Sequence, residues 1–514
     1  MSCESHRSCP NQPSSGSDRT SRTCGTRRIV QAVAVWLSLT TVAVAQTSPA
    51  SRRADASAAY SQSFLDNDFT YLDDDEPPEF LGERLKRLEL IPGTRFDFGG
   101  EVRTRFHDED NLRVRPVAGF DDDFLLSRMR LFGDLRIGRN VRLFGEWLDA
   151  GIDGNRITPR ASEESGFRTQ NLAVDLTLFD NDRGVTTFRG GRQELILGSQ
   201  RILSSRPWRN VPVTHDGVRL MHRSETFDAD AFWFDSLDTR QRFRNLFIDE
   251  LERSQRRTYG TYLTRRVGDD LAIDGFYVGF QERNDLFRDI SGGIGGFDTH
   301  TFGGRYVRTA PSGTQLEIEG GYQFGAFAAE DLSAGYFTAG ITRDFARIGR
   351  GSTIALYYDW ASGDDDPTDG DTGTFVQIIP RGHFYLGYAD VTARKNIHDV
   401  SVQTLWKATD RLRVKINLHN FWLAETTDAL YSPGGRATYQ NPNGATSSRV
   451  GHELDLLALW NLTPRMNVNV GYSRFWAGSF FDDPVVRGGP AGLAPNGAND
   501  GDANFTYVQG TLRF

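Results

Sequence analysis

Residues 122–150 read DDFLLSRMRLFGDLRIGRNVRLFGEWLDA and show the pattern that decides the fold. Successive side chains on a strand point to opposite faces, so a strand with regular alternation has one apolar and one polar face. Between 124 and 137, the apolar or small parity holds Ser127, Met129, Leu131, Gly133, Leu135 and Ile137, and the charged parity holds Arg128, Arg130, Asp134 and Arg136. So much charge behind an apolar ribbon is rare in a soluble sandwich and typical of the wall of a transmembrane β-barrel.

The same alternation recurs along most of the chain. After a short turn it resumes with Val141, Leu143, Gly145 and Trp147 opposite Arg142 and Glu146. Strands can be placed at 95–107, 124–137, 141–150, 170–179, 185–197, 215–223, 228–236, 255–266, 271–281, 299–308, 314–325, 331–345, 352–362, 397–407, 412–423, 449–461, 466–477 and 503–514. An even count fits a closed barrel with both termini on one side. We therefore expect residues 95–514 to form an all-β fold, a transmembrane antiparallel β-barrel of about 18 strands.

The connections between these strands fall into two classes. Short turns are predicted at 138–140, 180–184, 267–270, 310–313, 408–411 and 462–465. Long connections are predicted at 151–169, 198–214, 282–298, 363–396, 424–448 and 478–502. Short periplasmic turns and long extracellular loops are the outer-membrane pattern. The last residue is Phe514, and outer-membrane barrels commonly present a terminal aromatic residue to the barrel assembly machinery.

Composition agrees with a barrel and excludes other classes. Only 38% of the 514 residues are hydrophobic, which excludes an α-helical membrane protein apart from the leader but allows a barrel, since half of each strand needs to be apolar. The net charge of −9 argues against nucleic acid as a partner. No linker or change of composition divides the chain into several soluble domains.

The first 45 residues have the parts of a secretory signal peptide. A long polar, positively charged region precedes the apolar run 29–42, and the small residues 43–45 follow it. This apolar run is shorter than the roughly 20 residues of a membrane-spanning helix, although an uncleaved anchor is the alternative. All three cysteines lie before it, and they are Cys3, Cys9 and Cys24. Residues 46–514 therefore lack cysteine, which suits passage through an oxidising compartment.

Residues 46–94 are expected to be a periplasmic N-terminal segment. The polar stretch 48–78 is expected to be extended or disordered. In 79–90, Leu81, Leu85 and Leu88 have helical spacing and predict one short amphipathic helix. That helix could rest on the barrel rim, or it could act as a periplasmic plug or docking element.

Basic residues dominate the polar parity and suggest what the lumen favours. They are Arg103, Arg105, Arg128, Arg130, Arg136, Arg142, Arg413 and Lys415. A guanidinium group stays charged and matches the geometry of a carboxylate, so a chain of uronic acids could pass from one arginine to the next. Interleaved acids would hold the arginines and moderate their affinity: Asp97, Glu101, Asp134, Glu146, Glu317, Glu319, Glu453 and Asp455. The alternative is a cross-strand charge lattice that only stiffens the wall.

The candidate motifs for metal binding and catalysis are incomplete or unspecific. The stretch 363–371, GDDDPTDGD, resembles a calcium loop, but Pro367 and Val376 stand where ligands are required. Solvated turn acids are expected there, with a looser divalent site as the alternative. The pair His452-Glu453 lacks the second histidine of a zinc-protease motif, because position 456 is leucine. The spacing of Glu317 and Glu319 occurs in glycosidases but is shared by any two inward neighbours on a strand.

The aromatic cluster Phe384, Tyr385 and Tyr388 lies in the loop predicted at 363–396. It could fold into the barrel mouth and narrow it. The alternative is a loop tip that packs on itself.

Several segments resemble those of the alginate export family of outer-membrane proteins. They are NDFTYLDDDE at 67–76, residues 122–150, RGGRQELILGSQR at 189–201, YYDWASGDDDPTD at 357–369, GHFYLGYADVTARKN at 382–396, FWLAETTDAL at 421–430 and VGHELDL at 450–456. The resemblance implies an eighteen-stranded barrel with an electropositive lumen that passes anionic polysaccharide outward. It also favours Arg192 as a lumen residue.

We therefore expect an outer-membrane pore of a Gram-negative-type bacterium, with passive, anion-favouring passage of acidic polysaccharide or oligosaccharide. A general uptake porin for small anions or sugars is the alternative, and a barrel-embedded hydrolase or a structural barrel is the third. No enzymatic activity and no cofactor are expected. The expected partners are the anionic saccharide, outer-membrane lipid, the assembly machinery and periplasmic export proteins.

Overall fold

The computed structural model describes residues 50–73, 76–117, 119–236, 256–288, 293–345, 351–488 and 501–514. The predicted signal peptide, with its three cysteines, lies outside the described residues. Within the described part of the chain, no helix is long and apolar enough to cross a bilayer.

Eighteen antiparallel strands form a closed barrel. Each strand pairs with the next along the chain, and the last pairs with the first, from Glu101 opposite Arg513 to Asp110 opposite Asn504. The strands are β1 Thr94–Arg113, β2 Phe120–Ile137, β3 Val141–Asp153, β4 Ser165–Asn181, β5 Gly184–Gln193, β6 His215–Arg223, β7 Phe227–Ser236, β8 Arg256–Val267, β9 Leu271–Arg288, β10 Ile294–Thr309, β11 Thr314–Phe327, β12 Glu330–Phe345, β13 Ser352–Ala361, β14 Ile397–Lys407, β15 Leu412–Trp422, β16 Arg449–Thr463, β17 Met466–Ala477 and β18 Ala503–Arg513. The predicted strand number and order are confirmed.

The facing of the strands follows the sequence alternation. On β2, Met129 is 39% exposed on the outer surface while its neighbour Arg130 is 3% exposed and points inward. The same contrast separates Ile318 from Glu319 on β11. The apolar parity therefore forms the lipid face and the charged parity lines the interior.

Some connections on the extracellular side are shorter than predicted. The predicted loop 282–298 is mostly strand, because β9 continues to Arg288 and β10 begins at Ile294. Phe287 packs against Phe297 across this extension, with ring centroids 5.0 Å apart. Only residues 328–329 separate β11 from β12.

The N-terminal region differs from both predictions made for it. Instead of an extended stretch, residues 50–73 contain a helix, α1 (Ala50–Ala58), and two 3-10 turns, Phe64–Asp66 and Thr70–Leu72. The amphipathic helix predicted at 79–90 is wrong. Residues 83–91 instead form a 3-10 turn at Glu83–Leu85 and a short strand at Leu88–Ile91 that pairs with the start of β1.

The physical reason lies in which side chains are buried. Gly82 takes a left-handed conformation with φ of 81°, which interrupts a helix. The predicted apolar stripe of Leu81, Leu85 and Leu88 stays exposed. Glu83 and Lys86 are the buried residues, and Glu83 accepts hydrogen bonds from the backbone N–H groups of residues 79 and 80.

Two long extracellular connections fold into the barrel. Residues 194–214, the first inner loop, meet residues 362–396, the second inner loop, at a bridge between Leu203 and Ile379. Ser204 N donates to Ile379 O over 2.9 Å and Ile379 N donates to Ile202 O over 3.0 Å. Their apolar side chains pack on inward-facing aromatic residues of β7 to β9, namely Phe232, Phe234, Tyr262, Phe276 and Phe280. This side of the lumen is therefore filled by a hydrophobic core.

The remaining elements lie in the extracellular connections. They are strands Asp371–Thr372, Leu430–Tyr431 and Ala437–Tyr439, helices α2 (Gly382–Tyr385) and α3 (Pro484–Gly488), and the 3-10 turn Ser479–Asp482. The Tyr439 hydroxyl donates to Pro116 O over 2.6 Å and so ties the hairpin to the connection after β1.

Candidate functional site

Two large cavities, bordered by described residues, lie in the part of the lumen that the hydrophobic core leaves free. The periplasmic chamber, about 520 Å³, is bordered by α1 and the chain that follows it, by inner residues of β1, β2 and β15 to β18, and by the turn at Pro464. The outer chamber, about 460 Å³, is bordered by the extracellular half of β1 and by the loops around residues 160–163, 206–210 and 432–434. The two chambers lie in series along one side of the barrel.

Five residues border both chambers and define the constriction: Pro207, Trp208, Arg381, His383 and Tyr388. All five come from the two inner loops. The ring of Trp208 stacks on His383 with centroids 4.0 Å apart, and the Arg105 guanidinium lies 3.7 Å from the indole centroid. Of the aromatic cluster at 384–388, Phe384 and Tyr388 border the periplasmic chamber, while Tyr385 packs edge-on against Phe384 with centroids 5.0 Å apart.

Three predicted lumen arginines hold the first inner loop against the wall. Arg103 donates to Arg209 O over 3.0 Å and Arg105 donates to Trp208 O over 2.8 Å. Arg128 donates to Arg209 O over 3.2 Å. These arginines therefore position the constriction as well as bordering the chambers.

Predicted lumen carboxylates hold the second inner loop. Glu453 accepts from Ala389 N over 2.8 Å, and Asp455 accepts from Tyr388 N over 3.4 Å. On the far wall, Glu317 and Glu319 bind Arg201 over 2.8 and 3.2 Å rather than facing a chamber. Lys415 places its ammonium 4.3 Å from the centroid of the Phe384 ring, beneath the same loop.

The other predicted arginines form carboxylate pairs in the wall. Arg130 binds Glu146 and Glu194, and it borders the periplasmic chamber. Arg136, Arg142 and Arg192 border neither chamber. Their ion pairs are Arg136–Asp134 (3.2 Å), Arg142–Asp134 (2.7 Å) and Arg192–Asp216 (2.8 Å). For these residues the structure shows the cross-strand ion pairs that the alternative interpretation, a charge lattice in the wall, requires.

A different set of arginines borders the chambers without a carboxylate partner in the described part of the chain. It consists of Arg103, Arg105, Arg206, Arg209, Arg381 and Arg413. Six arginines and one carboxylate, Glu101, border the periplasmic chamber, and five arginines and three carboxylates border the outer chamber. The free lumen is therefore positive where the wall elsewhere is neutralised.

The loop arginines of this set are also desolvated. Burial lowers the pKa of Arg206, and the neighbouring Arg209 lowers it further. Burial likewise lowers the pKa of Arg209 and of Arg381. Because guanidinium groups remain charged in proteins, the cost of burying these charges is offset when an anion binds beside them.

Sequence patterns had not singled out most of the constriction. Arg206, Trp208 and Arg209 lie in SSRPWRN at 204–210, and Arg381 and His383 lie in PRGH at 380–383. Both are arginine and aromatic clusters in long connections, and this combination is the signal that could have found them. Alternation along strands could not, because neither cluster is on a strand.

The acidic stretch in the second inner loop is built from local turns. Asp366 accepts from Thr368 N over 3.0 Å, and Asp369 accepts from Asp371 N over 2.9 Å. Among the described residues, no group of three or more His, Cys, Asp or Glu side chains is arranged to hold a metal ion.

Comparison with known proteins places this pore in a family. The family profile described as alginate export matches residues 94–489. The chain belongs to the alginate export family. It is therefore a β-barrel of the outer membrane of Gram-negative bacteria, and solved structures with a similar fold are those of porins. No curated protein matches the sequence.

Solved structures similar to this alginate export family member are outer-membrane porins. A BenF-like porin from Pseudomonas fluorescens Pf-5 has a TM-score of 0.53 at 10% identity, over 82% of this chain and 98% of that one. OccK2 (OpdF) from Pseudomonas aeruginosa has a TM-score of 0.52 at 11% identity, over 81% and 98%. OccAB1 from Acinetobacter baumannii has a TM-score of 0.51 at 12% identity, over 82% and 96%. At these identities the likeness concerns the fold alone.

Proposed function

We propose that this protein is a passive, anion-favouring pore that carries acidic polysaccharide or oligosaccharide across the outer membrane. The observation that carries the proposal is the set of six chamber arginines that form no ion pair with a carboxylate among the described residues, from Arg413 in the periplasmic chamber to Arg206 and Arg209 in the outer one. A guanidinium group pairs bidentately with carboxylates, which are the charged groups of uronic acids.

The arrangement also allows release of the cargo. Conduction needs sites that admit a ligand and then let it go. Glu101 borders the periplasmic chamber among six arginines, and Glu109, Glu163 and Asp390 border the outer chamber. These carboxylates reduce the local field, so that an anionic saccharide can exchange one guanidinium for the next.

Uptake of small anions or sugars is the second candidate, and the constriction favours it. The stacked pair of Trp208 and His383 separates the two chambers, and a short solute passes such a partition more easily than a chain does. The two candidates share the selectivity for anions and differ in the length of the cargo.

Planar-bilayer recording tests the proposal. The purified protein should show an anion-selective reversal potential in a salt gradient, and polyuronate should block its current while a neutral polysaccharide of equal length should not. In the triple variant Arg206→Gln, Arg209→Gln and Arg381→Gln, we expect block at least about tenfold weaker, because each substitution removes a charge-assisted contact. Uronate monomers that permeate when polymers only block would favour small-solute uptake.

The control is Arg136→Gln, which removes an arginine on the polar face of β2 that is paired with Asp134 and borders neither chamber. It should leave block and reversal potential close to those of the unmodified protein. If the triple variant kept the original selectivity and block, the chamber arginines would not be the path and the proposal would be wrong.

A further inference from the structure

The N-terminal segment, defined here as residues 50–73, packs against the inner wall of the barrel. Tyr60, Phe64 and Phe69 are buried against Phe132, whose ring points inward from β2. The ring centroids of Phe64 and Phe132 are 5.4 Å apart. Phe144 and Ala173 extend the same cluster to β3 and β4. A stretch of chain that precedes the barrel therefore occupies space inside it.

Hydrogen bonds attach the N-terminal segment around the periplasmic rim. Arg465, in the turn between β16 and β17, donates to Ala56 O over 2.6 Å and to the Tyr71 hydroxyl over 2.5 Å. The Tyr60 hydroxyl donates to the backbone oxygen of Phe514 over 2.5 Å. Three strands beyond β18, Arg142 on β3 donates to Leu65 O over 2.8 Å. The attachments therefore come from separate parts of the wall.

The tip of the N-terminal segment reaches the constriction region. Gln62 Nε2 donates to Gln200 Oε1 over 2.9 Å, and Gln200 belongs to the first inner loop. The Arg130 guanidinium lies 4.1 Å from the centroid of the Phe64 ring. The segment lines the periplasmic chamber with Ser57, Tyr60, Ser61, Gln62 and Phe64. Cargo that moves between the periplasm and the constriction has to pass it.

The N-terminal segment can leave without breaking the barrel. The register that closes the barrel runs from Glu101–Arg513 to Asp110–Asn504 and includes none of its residues. It is held by one aromatic cluster, by these hydrogen bonds and by contacts with the chain just before β1, chiefly the Asp73–Arg87 ion pair and the bond from the Tyr71 hydroxyl to Glu83. Two of its buried polar atoms, Ser63 Oγ and Asn67 Nδ2, have no hydrogen-bond partner among the described residues, which weakens the docked state.

We propose that the N-terminal segment is a gate that docks in the periplasmic end of the lumen and restricts the pore until it swings out. This inference concerns the size of the passage, and it does not depend on which solute the pore carries. Undocking replaces the aromatic cluster with water at the periplasmic end and joins the chamber to the periplasm.

Reversible cross-linking tests the gate. Gln62→Cys and Gln200→Cys are combined in a background in which Cys3, Cys9 and Cys24 are serine, and the pair is bridged by a cleavable bifunctional thiol reagent. Bridged pores in potassium chloride should lose their large-conductance openings, and reduction should restore them. The single-cysteine variants treated with the same reagent are the controls. If bridged pores kept the large openings, the gate would not exist.

A second variant keeps the test independent of the cross-link. Arg465→Met removes both bonds from the periplasmic turn, and we expect the open fraction to rise about tenfold, since each bond is charge-assisted. Arg411→Met, in another periplasmic turn, is the control and removes an exposed arginine whose side chain donates to Leu462 O over 3.4 Å. Equal open fractions in both variants and the unmodified protein would overturn the proposal. The readout is conductance in simple salt. The gate proposal can therefore fail while the proposed anion selectivity holds, and anion selectivity can fail while the gate proposal holds.

Discussion

His383 stacks on Trp208 with ring planes inclined by 14° and centroids 4.0 Å apart, and this pair joins the two inner loops where the chambers meet. Tyr388 and Tyr507 approach the indole edge-on, with centroids 6.3 and 4.9 Å away. His383 Nδ1 also lies 2.9 Å from an Asp390 carboxylate oxygen. The boundary between the two chambers is thus an interface between two loops, and its width depends on how tightly they pack.

Removing the indole should widen the pore. In Trp208→Ala we expect a larger single-channel conductance and weaker discrimination between uronate oligomers of different length, because the stack that separates the chambers is lost. Trp406→Ala is the control, because Trp406 is 51% exposed on the outer face of β14. Bilayer recordings compare the two. A conductance that falls or stays constant in Trp208→Ala would mean that the loops, rather than this ring, set the width.

The folded position of the first inner loop should depend on the side-chain amide of Asn210. Asn210 Nδ2 donates to Ser127 O over 2.9 Å and to Glu163 O over 2.8 Å, and its Oδ1 accepts from Arg103 over 3.0 Å. Asn210→Ala should cost about 2–4 kcal/mol of loop stability, given about 1 kcal/mol for each lost bond and more for the charged one. Limited trypsin digestion should then cut after Arg209, which is protected in the unmodified protein.

The control for that experiment is Asn155→Ala. Asn155 Nδ2 donates to Ile157 O over 2.8 Å within its own loop, so its loss should leave Arg209 protected. Equal digestion of all three proteins would show that the bonds from Asn210 do not hold the loop in place.

Local alternation explains how much of this structure follows from sequence. The facing of Met129 and Arg130 is set by the two-residue period of a strand, which needs no knowledge of distant chain. The meeting of Leu203 with Ile379 joins residues far apart in sequence, and nothing in either loop alone indicates its partner. Strand periodicity likewise predicts that the arginines of β1 and β2 point inward. It does not predict that they donate to the backbone carbonyls of Trp208 and Arg209.

The N-terminal region shows the limit of periodicity. Leucine spacing predicted a helix at 79–90, but the aromatic residues that matter, Tyr60 and Phe64, lie in a stretch whose overall polarity suggested disorder. A polar segment can fold when its few apolar side chains are buried against apolar side chains of another part of the protein. Here Phe132 and Phe144 of the barrel wall supply it.

The extracellular end of the second inner loop should respond to pH. Burial, and then the nearby Asp428 carboxylate, raises the pKa of Asp364 from 3.8 to about 7. Asp364 N donates to Asp428 Oδ2 over 3.1 Å, and burial raises the pKa of Asp428 as well, although hydrogen bonds from Thr374 and Tyr431 oppose this shift. The folded loop therefore prefers neutral Asp364.

An acid whose pKa is raised in the folded state stabilises that state most below its ordinary pKa, and this contribution is lost as the pH rises to the folded pKa. We therefore expect the loop to open more readily at pH 8 than at pH 5, measured by amide hydrogen exchange in residues 362–376. Asp364→Asn should remove most of this difference, while Asp365→Asn, at the exposed neighbour, should keep it. A loop that is more protected at pH 8 would contradict the sign.

Removing one carboxylate should strengthen anion binding. Glu101 accepts from Arg128 over 2.5 Å and from Arg513 over 3.1 Å, and it is the one carboxylate among the residues that border the periplasmic chamber. Glu101→Gln keeps the shape and leaves Arg128 and Arg513 without this charge. We expect block by polyuronate to tighten by about threefold to tenfold, since one unit charge a few ångströms away is worth about 1–4 kcal/mol before screening.

The gain in block should shrink in high salt, because added ions screen the charges of the chamber. Asp216→Asn is the control and should leave block unchanged, because Asp216 pairs with Arg192 and borders neither chamber. Weaker block in Glu101→Gln would show that Glu101 holds the arginines in their binding positions rather than opposing their charge.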